Sequence, residues 1–278
     1  MTHSLPSATL RSMFSLFRVC LALCLLLFTQ SSLYGFEIHL GPWNDRLLDL
    51  SSGTLLLVDP DDVSTKQLQQ LHSRGVRPLA WLNLGYREPG RSFTAHVEDR
   101  SLSLSGKKPR QSRYPVRFFS ALWKRLLQQR IQEITNLGFR GLFLTGLQAA
   151  TQITDHPIAV EEMMNLCRWI RHLHVGLVDH PFLVIDMPLN FRVPATSLSF
   201  TDYICLQGIW YTSPRRSIRP WERQPHLDRW FRQQQIPLLT IDNAPAAKQP
   251  DLRAEVAALG ADAGFATLPL YPIRSRLP

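Results

Sequence analysis

The chain has 278 residues and carries 31 basic against 22 acidic side chains, a net charge of +9. That length allows two small domains or one large barrel. Its four cysteines have no zinc or haem spacing, which excludes a cysteine-built metal site.

Arg11 and Arg18 precede an apolar run from Val19 to Phe28, closed by Thr29-Gln30-Ser31-Ser32. This layout predicts a secretory signal, or an uncleaved anchor, over residues 1–35. Cys24 follows Leu21-Ala22-Leu23, whose bulky residues do not suit a lipoprotein site. Export would permit a Cys167–Cys205 disulfide, but both lie in apolar runs and read as buried thiols. Without Arg11 and Arg18 the net charge is about +7, still basic, which disfavours cationic partners. The excess gathers in GKKPRQSRYPVR, around Lys107–Arg117, a solvated loop or a patch for an anionic envelope polymer. Nucleic acid does not fit an exported protein.

From Phe36 onward, short apolar runs alternate with amphipathic stretches. Phe36–Leu40 is the first expected strand, with a short helical segment from Asn44. Thr54–Asp59 is the second strand, followed by a helix capped by Ser64 and ending near Gly75. Pro78–Asn83 is the third. The stretch Tyr114–Gln148 then holds a complete helix-to-strand unit. Its apolar residues Phe119, Leu122, Trp123, Leu126, Leu127, Ile131, Ile134 and Leu137 share a helical face, Ser120 caps its start and Gly138 its end. Gly141–Thr145 is the fourth strand. A helix over Ile158–His172 leads to Phe182–Asp186, and Tyr203–Gln207 is the sixth strand. A helix over Trp221–Gln235, a strand over Pro237–Asp242, a helix over Asp251–Leu259 and an eighth strand at Phe265–Leu268 complete the alternation. His172, His174 and His180 read as surface residues.

Eight strands alternating with helices fit a single (β/α)8 barrel over residues 36–278. An open doubly wound sheet would call for a phosphate-binding glycine loop, and no G-x-G-x-x-G or P-loop occurs. There is no G-x-S-x-G elbow either. No cofactor or metal is expected. In a barrel the carboxyl ends of the strands carry the chemistry, and here they present Asp59, Asn83, Thr145, Asp186, Gln207 and Asp242. An apolar strand ending in a carboxylate is a route to acid or base work. Trp210 and Tyr211 follow the sixth strand, where aromatic faces would stack on sugar rings or pack the loops onto the barrel.

The segments LLLVDPDD, VRPLAWLNLGYRE, GFRGLFLTGL, DYICLQGIWY and IPLLTIDNA resemble, in order, those of glycoside hydrolase family 114, the endo-α-1,4-polygalactosaminidases. The resemblance implies a (β/α)8 barrel acting on a polysaccharide. Asp59 and Asp242 match the family's aspartates on the second and seventh strands, and Asp186 falls near a family Gln-Asn position. Three acidic positions differ. Gly85-Tyr86 stands for the family's Gly-Glu, with Glu88 two residues on; Thr145-Gly146 stands where the fourth strand carries Asp; Gln207 stands for the Glu of the sixth. The implied catalytic set is Asp59, Glu88, Asp186 and Asp242, with Asn83, Tyr86, Gln207, Trp210 and Tyr211 binding substrate. Two of those acids must share one cleft within about 10 Å. The alternatives are a silent barrel that binds glycan and a non-enzymatic envelope interaction protein. Galactosamine polymers are cationic and suit this basic chain less than a neutral or anionic glycan.

Overall fold

The computed structural model describes residues 35–88, 114–153, 158–191, 193, 195–218, 225 and 236–266. The expected secretory segment, the basic stretch up to Arg113, and the helix from Trp221 to Gln235 lie outside these residues, apart from Pro225. Among the described residues no helix is long and apolar enough to cross a membrane.

Eight strands form one sheet in simple chain order: β1 (Phe36–His39), β2 (Leu55–Val58), β3 (Arg77–Asn83), β4 (Gly141–Thr145), β5 (Phe182–Asp186), β6 (Tyr203–Gln207), β7 (Leu238–Asp242) and β8 (Ala261–Phe265). Every pairing is parallel. Strands buried on both faces have no use for polar alternation, which is why β2, β4, β5 and β7 are buried at every residue. The helices that cover the outside are α1 (Thr65–Ser73), α2 (Ala121–Leu137), α3 (Ala159–Val175) and α4 (Gln249–Ala258). Ser64 and Gln67 close α1 with a reciprocal capping box. Ser120 caps α2, and Gly138 ends it in the left-handed conformation at φ 109°.

The architecture is the expected (β/α)8 barrel, nearly closed. β8 meets β1 through Gly264, where a Cβ would come within 2.8 Å of Phe36 and 2.9 Å of Ile38. From outside, Arg253 of α4 spans the seam, donating to the Ala263 carbonyl at 3.0 Å and to Glu37 at 2.7 Å. The eighth strand is Ala261–Phe265, ADAGF, ending where the expected Phe265–Leu268 begins; residues 267 and 268 lie outside the described residues. Its small residues give way to the large side chains of β1, so the strand carries no apolar run to find.

Two apolar clusters define the faces of every strand. Leu57, Trp81, Phe143, Val184, Cys205 and Ile241 fill the barrel interior, while Leu56, Leu82, Leu144, Ile185, Leu206 and Leu238 pack outward against the helices. Cys167 and Cys205 are buried free thiols, and burial raises Cys167 to about 12.

His174 is not a surface residue. It is fully buried in the last turn of α3, with neither ring nitrogen hydrogen-bonded. Burial, helped by nearby Arg171, lowers its pKa to about 4. The fold thus holds His174 neutral while the unfolded chain protonates it near pH 6.5, so its contribution is present above pH 6.5 and is lost as pH falls toward 4. Asp262, raised by burial to about 6, acts in the opposite sense over part of that window. The test is therefore a difference: His174→Leu should gain on the parent by on the order of 2 kcal/mol between pH 6.5 and 5 in urea titrations. An equal pH slope in both proteins would contradict it.

Candidate active site

Side-chain alternation decides which strand ends face the mouth. Asp59, Asn83, Thr145, Asp186 and Gln207 each lie two residues beyond an interior side chain, so all five point inward. Asp242 does not. It follows Ile241, an interior residue, and shares the outward phase of Leu238. Its Oδ1 accepts the backbone N–H groups of Trp210 and Tyr211 at 2.7 and 2.8 Å, which fixes the loop after β6. The inward place at the end of β7 belongs to Asn243, a residue the apolar-run reading passed over. The strand's phase is the signal that finds it.

Asp59 faces the mouth but is fully buried, and its carboxylate accepts the Asp61 N–H at 3.1 Å in the turn after β2. Asp61 pairs in turn with Arg130 of α2. Asp59 thus sits in the framework of the turn.

Asp186 is the centre of the mouth. The Thr145 hydroxyl donates to its Oδ2 at 2.7 Å, and Gln207 Nε2 donates to the same oxygen at 2.6 Å. Thr145 and Gln207 stand where the family pattern has acids, and here both serve as neutral donors to the carboxylate between them. Asp186 and Gln207 line a cavity of about 180 Å³ with Gln148, Met187, Pro188 and Leu189. Gln148, from the turn after β4, carried no sequence signal.

A second carboxylate enters from the loop after β3. Asn83 Nδ2 donates to Glu88 at 2.8 Å, while its Oδ1 accepts the N–H groups of Gly85 and Tyr86 at 3.2 and 3.1 Å. This turn is packed tightly against the end of β4. A Cβ at Gly146, whose φ is +82°, would lie 2.1 Å from Asn83 Oδ1, and one at Gly85 would lie 2.2 Å from the Gly146 carbonyl. A side chain at Gly146 is excluded by both backbone and space. The Tyr86 hydroxyl accepts from Gln152 at 2.8 Å, joining the loops after β3 and β4.

Trp210 offers no stacking face. It is 2% exposed, and its Nε1 donates to Glu255 of α4 at 2.8 Å. The indole anchors the β6 loop to the barrel wall. Tyr211 is half-buried and packs on the same core. Cys205, directly below Gln207, is inert as a nucleophile: burial holds its thiol well above the ordinary value, with the charges of Asp186 and Asp242 adding. Among the described residues no three His, Cys, Asp or Glu side chains converge to hold a metal ion.

The glycoside hydrolase domain of PelA from Pseudomonas aeruginosa superposes on this barrel with a TM-score of 0.69, at 16% identity over 86% of this chain and 97% of that one. The chain has the fold of a glycoside hydrolase domain. Ega3 of Aspergillus fumigatus, solved with galactosamine, matches at TM-score 0.63 and 9% identity, covering 84% of this chain and 91% of that one. The glycoside hydrolase domain of PgaB (BpsB) from Bordetella bronchiseptica matches at TM-score 0.52 and 15% identity, covering 80% and 86%. No protein-family model matches the chain, and no curated protein matches it. The likeness to glycoside hydrolase domains seen in the sequence is therefore carried by the fold.

Proposed function

We propose that this chain is an exported, divergent relative of glycoside hydrolase family 114 that hydrolyses glycosidic bonds in an envelope or matrix polysaccharide. Residues 36–278 are the catalytic barrel, residues 1–35 the signal or anchor, and the basic stretch Lys107–Arg117 the contact with an anionic neighbour. Glu88 protonates the leaving oxygen, and Asp186 acts as nucleophile or as the base that activates water.

One observation carries the reading. Asn83 and Thr145 are register partners on adjacent strands, and each holds one carboxylate, Glu88 and Asp186 respectively. Asp186 ends β5 and Glu88 follows β3, on either side of β4. At about 4.8 Å per strand the two carboxylates are expected roughly 10 Å apart or less, at the wide end of the span that hydrolysis uses. The two also differ in setting: Glu88 sits on a half-buried loop, and Asp186 is held by two donors.

The test is release of reducing ends from a panel of neutral and amino-sugar polysaccharides. Parent protein should release them, and Glu88→Gln should lower the rate by about 100-fold or more at unchanged thermal stability. The neutral Thr145 and Gln207 favour one competing reading, a barrel that binds glycan without turnover. Binding by the parent with no reducing ends from any polymer would establish that reading in place of hydrolysis.

A further inference from the structure

Gln207 stands where the resemblance has a Glu, but its hydrogen bond gives it a definite orientation. The group aimed at Asp186 Oδ2 must be Nε2, because an amide oxygen placed 2.6 Å from a carboxylate oxygen would set acceptor against acceptor. The amide's other end, Oε1, is then what Gln207 presents to the cavity it lines with Asp186. Thr145 has spent its hydroxyl proton on Asp186 as well. On β5 and β6 the cavity wall therefore offers two acceptors, the Asp186 carboxyl and Gln207 Oε1, although the chain as a whole is strongly basic.

We propose that Gln207 sets the specificity of this site: its Oε1 accepts a hydrogen bond from a hydroxyl or N–H of the sugar ring seated beside Asp186. The same wall turns away a ring that carries a carboxylate. This rests on the glycan-hydrolysing reading above for the presence of a sugar in the cavity, and it adds the class of sugar. The chain's net positive charge does not reverse the choice. Exposed charges farther than about 8 Å away are screened at physiological salt, whereas an acceptor in direct contact is not.

The experiment uses the purified full chain and titrates tetragalacturonate, its carboxyl-reduced neutral counterpart, a chitosan tetramer and its N-acetylated form. The parent should bind at least one of the three probes that lack carboxylates about tenfold or more tighter than tetragalacturonate. Gln207→Met, nearly isosteric but unable to accept, should shrink that ratio by about tenfold. A purely structural role, holding Asp186, would weaken all four probes alike and leave the ratio unchanged. Gln207→Leu gives an independent check if the Met variant fails to fold: it also removes the acceptor, so it should shrink the same ratio.

Tetragalacturonate bound as tightly as the best of the other probes would overturn the proposal, as would a ratio unmoved by Gln207→Met. Either result alongside released reducing ends sinks the specificity role alone. No binding to any probe and no cleavage of any polymer sinks the glycan reading and this proposal together.

Discussion

Arg130→Met is expected to destabilise the protein by about 3–5 kcal/mol, a large share of what a domain possesses. Arg130 interrupts the apolar face of α2 between Leu127 and Ile131, and it is only 4% exposed. Its guanidinium reaches Asp61 in the turn after β2, whose side chain is 18% exposed, and also bonds Glu133 at 3.0 Å. Asp61 in turn donates its N–H to Asp59. Three aspartates, Asp59, Asp61 and Asp62, crowd this turn, and Arg130 is a cation that the described residues bring to it. Removing the guanidinium takes a bonded cation from a site from which water is largely excluded, and that penalty is the source of the large effect. The Glu133 partner is different. Its side chain is 52% exposed, so Glu133→Gln should cost less than about 1 kcal/mol. Urea unfolding at constant m-value reads both numbers. Asp61→Leu combined with Arg130→Met should recover part of the loss, because the carboxylate goes together with its bonded cation. A double variant no better than Arg130→Met alone would show that the stability lies in packing of the arginine stem.

The same residues mark how far sequence could reach. Six of the eight strands announce themselves as apolar runs because a parallel barrel strand is buried on both sides, and β4, β5 and β6 coincide with their expected limits. The caps of α1 and α2 were legible for a local reason: Ser64, Ser120 and Gly138 act on their own backbone neighbours. What local chemistry did not disclose was phase and long-range partnership. Asp242 ends an apolar strand as Asp186 does, yet one residue of phase sends it to the outer layer, where it holds a loop. His174 and Arg130 look like surface residues of amphipathic helices until the elements packed over them are known. Trp210 follows a strand end like a sugar platform, and only the partner at Glu255 shows that its ring is turned inward. Thr145 and Gln207 register in a family comparison as missing acids. In space they are two donors converging on one carboxylate oxygen.

That distinction between two aspartates gives the sharpest test of the site. Asp186→Asn should lower kcat by about 1,000-fold on whichever polysaccharide the parent cleaves, with thermal stability within about 1 kcal/mol of the parent. The side chain keeps its shape, and the loss is that of the group at the cavity. Asp242→Ala should do the reverse. It strands the N–H groups of Trp210 and Tyr211, each bonded to a carboxylate, at a cost of about 2–4 kcal/mol. The folded fraction should retain kcat to within about tenfold, since the outward phase of Asp242 keeps it from the cavity. Both aspartates end barrel strands in sequence, so a reading by sequence position alone predicts equal losses of activity for the two. Steady-state rates normalised to folded protein separate the cases. A kcat that collapses in Asp242→Ala and survives in Asp186→Asn would move the chemistry to the other side of the β7 strand and refute the assignment of Asp186. The reverse pattern requires that the carboxylate between Thr145 and Gln207 is the one that works on the sugar.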